Sequence, residues 1–584
     1  MTSVPMQRST ARRSTVSGLL ILLCASLPAY SDPAQRCSAL TGLPGTRLGE
    51  ASARVVSATL NAPSAGQPPP MGAPPWVSGL PALPEHCEIT GVMRERVGTD
   101  GQRYAVRFHM RLPTAWNGRF LFQGGGGTNG IVGDATGVLQ PGMPVAVVRG
   151  FAVISTDTGH DNALNVDPAR QGNIAFAHDY EARLEYAEKA LDSVATAGKA
   201  IVAEFYGRKA AHNYFAGCSN GGREGMVFAQ RFPAQFDGIL AAAPAFAVPR
   251  AALAEAHDAQ VFAQLARQTD PAPGAEPDLS RGFSDRDLAL VAEAIDQSCD
   301  ALDGLSDGMV QDFRHCTTAR VWPALQRRVC LAGKTETCLS SLQVAALTLS
   351  MNGPHDSRGQ ALYADWPWDP GMAAMGWRVW KLGITGRMPA INTMLGSPAL
   401  SGLFLTPPRD VAATPSAGLA FQLGFDFDRD APQIFATAPG FPRSSWDLVG
   451  AQSADLAAFA AHGGRLIVPH GGADPIFSIN DTIRWWENVN RAAGGHAADF
   501  VRVFPVPGMN HCTGGPATDQ FDALEPLVRW VETGRAPRSI PARAGPMSPF
   551  PGRSRPLCPY PSIARYRSGN VEAASSFACE VPIG

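Results

Sequence analysis

The sequence predicts an α/β fold: a mainly parallel sheet covered by helices and interrupted by one long insertion. Three observations predict it. Strand-like and helix-like segments alternate in the first half of the chain and again near its end. The alternation stops between roughly Pro249 and Pro439. A serine set among small residues, Ser219, stands between a predicted strand and a predicted helix.

After a Pro/Gly-rich stretch, Pro63 to Pro84, Tyr104 to Leu112 alternates apolar and polar residues like a half-buried strand. Gly118 to Phe122 runs into four glycines, Gly124 to Gly127, and Val145 to Ile154 reads as a buried strand. Between Asp179 and Tyr206, Leu184, Ala187, Leu191, Val194 and Ile201 fall on one helical face. Asn213 to Ala216 is a short strand, and Arg223 to Arg231 begins a helix. Past the insertion, Asp455 to His462 reads as helix, Arg465 to Pro469 as strand, Thr482 to Ala493 as helix and Phe500 to Phe504 as strand. The simplest organisation is a catalytic domain over residues 32–248 and 439–584, with residues 249–438 inserted as a lid domain.

Composition narrows the class. At 584 residues the chain exceeds one ordinary domain. Its 45% apolar and 17% charged content suits a globular protein with a sizeable core. A net charge of -2 gives no basic field for nucleic acid or an anionic membrane surface, so neither partner is expected. Residues 1–31 read as an export signal. Arg8, Arg12 and Arg13 precede a short apolar run from Val16 to Leu27, and the small residues Ala29 and Ser31 suit cleavage. A secreted or periplasmic location follows. Of eleven cysteines, all but Cys24 lie beyond that segment, and an even number in an exported chain favours disulfides. Proximity suggests 299 with 316, 330 with 338 and 558 with 579, although sequence alone leaves the connectivity open.

The informative motif is Gly217-Cys218-Ser219-Asn220-Gly221-Gly222, which fits the G-x-S-x-G nucleophile elbow of an α/β-hydrolase fold. The sharp turn needs small neighbours, and the following helix N-terminus favours developing negative charge. A serine hydroxyl also needs a base oriented by an acid, in the order Ser, Asp, His on this fold. Asp474 follows the strand Leu466 to Val468, and His511 follows the strand Val501 to Phe504. His470 and His160 rank below His511 as the base. Asn220 offers one backbone N–H to an oxyanion, and the Gly124 to Gly127 run offers the other. If Ser219 and His511 meet, Cys218 and Cys512 are near enough for a disulfide. In the insertion, Asp300, Asp303 and Asp307 with Gly304 and Gly308 form an acidic turn suited to Ca²⁺, a structural site within the proposed Cys299–Cys316 bridge.

These residues resemble the tannase and feruloyl esterase family, and within it the MHETase branch. The resemblance rests on Cys218-Ser219, Asp474 and His511-Cys512, and on Gln123 to Thr128, Gly221 to Gly225, Val506 to Gly515 and Leu557 to Pro561. It implies an oxyanion hole from Gly126 and Asn220. It also implies structural Ca²⁺ held by Asp300, Asp303 and Asp307 with the carbonyls of Leu305 and Met309. The implied bridges are Cys37–Cys87, Cys218–Cys512, Cys299–Cys316, Cys330–Cys338 and Cys558–Cys579, and Trp380, Phe404 and Phe477 match aromatic positions around the acyl group. MHETases set an arginine against the substrate's free carboxylate. Here Ile391 stands at that position, Leu395 replaces an aromatic residue, and Arg387 is only nearby.

The expected reaction is serine hydrolysis of a small aromatic ester, such as a hydroxycinnamoyl, galloyl or terephthaloyl monoester, through an acyl-enzyme. A non-catalytic binder on this fold and a secreted serine peptidase are the alternatives. The intact triad opposes the first, and only substrate tests separate the second.

Overall fold

The computed structural model describes residues 1–3, 32–68, 79, 81–138, 143–269 and 275–582. Almost all of the predicted export segment therefore lies outside the described residues. Among those described, no helix is long and apolar enough to cross a membrane.

Nine strands make one sheet. In chain order they are β1 (Arg54–Asn61), β2 (His86–Val97), β3 (Arg103–Pro113), β4 (Arg119–Gln123), β5 (Ala152–Thr156), β6 (His212–Cys218), β7 (Gly238–Ala242), β8 (Arg465–Gly471) and β9 (Val501–Val506). Their spatial order is β1-β2-β3-β5-β4-β6-β7-β8-β9. β1, β2, β3 and β5 pair antiparallel, and β5 through β9 run parallel. The parallel strands are covered on both faces, so β5 and β7 are buried at every position. Alternate residues feed two cores. Phe120, Phe122, Ile154, Phe215, Ile239 and Val468 face one, and Leu121, Val153, Tyr214, Leu240, Ile467 and Phe504 face the other.

Several predicted elements shift. Val145 to Ile154 is not one strand. Val145–Gly150 coils into a turn in which Gly150 N–H reaches the Val147 carbonyl at 3.0 Å, and only Ala152–Thr156 joins the sheet. Gly150 takes φ 85°, where a strand cannot continue, and the valines read as strand because the turn itself is partly buried. The helix expected from Asp179 to Tyr206 is divided by a wider turn at Glu185–Lys189, with α-helix on either side at Tyr180–Leu184 and Ala190–Tyr206. Strands β1, β2 and β7 escaped the sequence reading. β1 is an edge strand without clean alternation, and β7 is too short to show a period.

Among the described residues, the segment between β7 and β8 adds helices and no strand to the sheet. It leaves from the end of β7 and returns before β8, so it hangs from the edge of the sheet that carries the Ser219 turn. All five bridges are present: Cys37–Cys87, Cys218–Cys512, Cys299–Cys316, Cys330–Cys338 and Cys558–Cys579. Cys37–Cys87 spans 50 positions and ties the N-terminal helix Pro33–Ala39 to β2. Replacing both cysteines by alanine should lower stability by about 4 kcal/mol through the freed unfolded chain. Urea unfolding of the double variant measures this, and an unchanged midpoint would show that the bridge adds nothing.

Candidate active site

β6 ends at Cys218, and the helix Asn220–Arg231 begins one residue later. Ser219 lies between them at φ 64°, ψ -123°, a conformation that a serine rarely adopts. It is held there by its own backbone. Its N–H donates to the Ala242 carbonyl at 3.1 Å, while its carbonyl accepts from Arg223 and Ala245 at 3.0 and 3.1 Å. The flanking glycines are needed sterically. A side chain on Gly217 would press on the Gly221 backbone, and one on Gly221 would press on the Gly125 carbonyl.

Asp474 follows β8 and His511 follows β9, so three parallel strands deliver the three residues at one edge of the sheet. His511 Nδ1 lies 2.8 Å from Asp474 Oδ2. The other Asp474 oxygen accepts the N–H groups of Ile476 and Phe477 at 2.9 and 3.0 Å. Burial pushes the Asp474 carboxyl up. The charge and hydrogen bonds of His511 and His470 outweigh it and hold the group well below the usual carboxylate range. His511 Nε2 is buried without a hydrogen-bond partner among the described residues. The Cys218–Cys512 bond, with Cα atoms 6.2 Å apart, fixes the residue before Ser219 to the residue after His511. The two rival histidines are held by other contacts, although His470 Nε2 also lies 3.5 Å from Asp474 Oδ2. His470 contacts Thr482 Oγ1 and the Phe477 carbonyl, both at 2.9 Å, and His160 stacks on Phe176 with burial pushing it down to about 3.

The Gly124–Gly127 run lies directly on the first turn of the Ser219 helix. Glu224, fully buried on that helix, joins the two. Its carboxylate accepts Gly125 N–H at 3.0 Å, Asn129 Nδ2 at 2.6 Å and Asn220 Nδ2 at 3.2 Å. Asn220 Oδ1 in turn accepts from Tyr186 Oη and Arg223 Nε. Gly126 lies exposed beside this clamp with open space where a side chain would be. Asn220 N–H is among the first N–H groups of its helix, which intrahelical bonds leave free.

The aromatic residues divide. Trp380 and Phe477 set their rings 5.6 and 5.4 Å from the His511 ring. Phe404 instead packs in a cluster with Phe176, Tyr186, Ala252 and Leu403. Arg387 is exposed, and Ile391 and Leu395 are half-buried. Two insertion residues missed by sequence reasoning brace the acid and base loops. Trp366 Nε1 donates to the Asp474 carbonyl at 3.0 Å, and buried Asp369 accepts Gly508 N–H at 2.9 Å. Nothing in their local sequence marks them. Glu224 lay inside a family-like motif, and its role needed the fold.

The acidic turn follows the helix Asp285–Cys299. Among the described residues Asp300 Oδ1 is buried without a partner, and burial together with the neighbouring carboxylates pushes Asp303 up to about 7. Those two carboxylates fit a cation. Asp307 is paired with Arg555 instead, and among the described residues no three acidic, His or Cys side chains converge into a metal cage.

This fold and arrangement define a carboxylic ester hydrolase on the α/β-hydrolase plan. The profile of the family described as "Tannase and feruloyl esterase" matches residues 87–580. The chain belongs to that family. It is 46% identical over 540 residues to mono(2-hydroxyethyl) terephthalate hydrolase of Piscinibacter sakaiensis, covering 87% of each chain. It is 30% identical over 492 residues to a probable feruloyl esterase of Arthroderma benhamiae, covering 82% of this chain and 83% of that one. In fold it is similar to feruloyl esterase B from Aspergillus oryzae, with TM-score 0.70, 23% identity and coverage of 94% of this chain and 100% of the other.

Glu224→Ala takes the acceptor from Gly125 N–H and Asn129 Nδ2, while Asn220 Nδ2 keeps Asn129 Oδ1 at 2.8 Å, and it releases the glycine run from the helix. Ester turnover should fall at least about tenfold in kcat with little change in KM. Steady-state kinetics checks this, and an unaltered kcat would show that the clamp does not position the run.

Proposed function

We propose that the protein is an exported serine esterase that cleaves esters of aromatic carboxylic acids through an acyl-enzyme. The observation that carries this reading is the joining of three elements. Asp474 is hydrogen-bonded to His511, and a disulfide binds the His511 loop to the strained Ser219 turn.

In this reading Ser219 Oγ attacks the ester carbonyl as His511 Nε2 takes its proton. Asp474 holds the imidazole with Nδ1–H toward the acid and stabilises the imidazolium. The N–H groups of Gly126 and Asn220 receive the developing oxyanion, already in place before reaction. His511 then protonates the leaving alcohol, and the same pair activates water to release the acid. The insertion acts as a lid. Trp380 and Phe477 beside the His511 ring favour a flat acyl group, and Phe404 backs the lid wall. The relatives named for a terephthalate monoester and for feruloyl esters support an aromatic acid. Five disulfides and the N-terminal apolar run support export to an oxidising compartment.

The test is release of acid from methyl ferulate, methyl gallate and the terephthalate monoester, followed by chromatography, with Ser219→Ala as control. Turnover should vanish in that variant, and Asp474→Asn should lower kcat by about 10⁴. Folded protein that cleaves none of the three esters sinks the aromatic-ester reading and leaves the non-catalytic binder.

We also propose that Asp300 and Asp303, with the carbonyls of Leu305 and Met309, hold a structural Ca²⁺, and that Asp307 joins them by exchanging its Arg555 partner for the ion. The ion would neutralise buried carboxylates and fasten the turn inside the Cys299–Cys316 loop. A chelator should lower the thermal midpoint, with recovery on added calcium, and Asp303→Asn should abolish that response. A midpoint indifferent to both would count against the ion.

A further inference from the structure

Glu255 lies on the helix Val248–Thr269, only 8% exposed, and among the described residues its carboxyl has no hydrogen-bond or ion-pair partner. A buried acid without a partner is costly, and such groups in native proteins call for an explanation. Burial pushes the group up to about 8. It is therefore largely a neutral acid near pH 7, able both to donate and to accept.

Its position is fixed from four sides. The helix starts shortly after Ala245, whose N–H donates to the Ser219 carbonyl. Glu255 lies seven residues beyond Val248 on the same face, about 10 Å along the axis. Asp258, in the next turn, is ion-paired with Lys381, and Lys381 adjoins Trp380, whose ring contacts that of His511. Ala252 and Ala256, on either side, share a cluster with Leu403 and Phe404. Opposite stands Gly396, where any side chain would collide with the Glu255 carboxyl. Asn392, one turn before Gly396, is 2% exposed, and among the described residues neither its amide nitrogen nor its amide oxygen has a partner. Thr393 Oγ1 is likewise buried and unpaired.

Unspent hydrogen-bonding groups thus collect where the helix Val248–Thr269 meets the turn Asn392–Gly396, and the same helix packs on Phe404 and pairs with the neighbour of Trp380, the residues assigned to the wall of the acyl site. We propose that Glu255 and Asn392 form the far end of that site and bind an uncharged hydroxyl on the ring of the aromatic acid. A phenol donates one hydrogen bond and accepts another, which the acid and the amide together satisfy. A ring carboxylate has no free cation here: Ile391 is apolar, Arg387 is exposed and Lys381 is committed to Asp258. This inference rests on the esterase reading and names the substrate class within it.

The test separates binding from turnover. Methyl 4-hydroxycinnamate and methyl cinnamate differ only in the ring hydroxyl, and their affinities for Ser219→Ala protein are measured by calorimetry. The hydroxylated ester should bind about tenfold more tightly. Adding Glu255→Leu should erase that preference, and Glu255→Gln should keep most of it. Asn392→Ala, an independent variant should the leucine protein not fold, should weaken it. Equal affinities in the parent, failure of both esters to bind, or a preference that survives Glu255→Leu each overturn the proposal. If the esters bind as expected but wild-type protein cleaves neither, the esterase reading fails and the subsite stands.

Discussion

The Cys218–Cys512 bond joins positions 294 residues apart and does so at the point where chemistry needs them together. Ser219 and His511 arrive on different strands, separated in sequence by the whole insertion. Side-chain packing alone would have to hold two loops in register across the edge of the sheet. The covalent link fixes the backbone on both sides. Ser219 and Cys512 share φ 64°, so the bond joins two turns that are each in an uncommon conformation. The remaining contacts adjust within that frame. Asp474 orients the ring of His511, Trp366 and Asp369 brace the two loops from the insertion, and Glu224 ties the glycine run to the serine helix.

Two kinds of force divide the work. Burial of apolar strand residues on both faces of the sheet supplies the gross stability, as in any parallel sheet. A small set of buried polar groups supplies the geometry. Glu224, Asp369 and Asp474 are all deeply buried, and each accepts backbone N–H groups from a loop that carries no regular structure of its own. Loops at the ends of strands gain in this way the precision of the strands beneath them.

Much of this was legible in the residues. Gly217 to Gly222 declared the elbow because steric crowding leaves few alternatives at those positions, and Asp474 and His511 followed strands whose apolar runs were plain. Strands β1 and β2 were not legible, since partly exposed antiparallel strands carry a weaker apolar signal than buried parallel ones. The turn at Val145 misled because burial and strand formation leave the same apolar signature. Trp366 and Asp369 act through partners that lie far away in sequence, and no local pattern encodes a partner of that kind. Phe404 was legible as an aromatic position, but only the fold shows it to one side of His511.

The fit of Glu255 against Gly396 has a consequence for variation. A side chain added at 396 meets the end of the Glu255 side chain, so it is accommodated only when that carboxyl swings aside. Swinging aside gives up the position the carboxyl holds here. The two residues are therefore coupled: whatever fills 396 also re-aims 255.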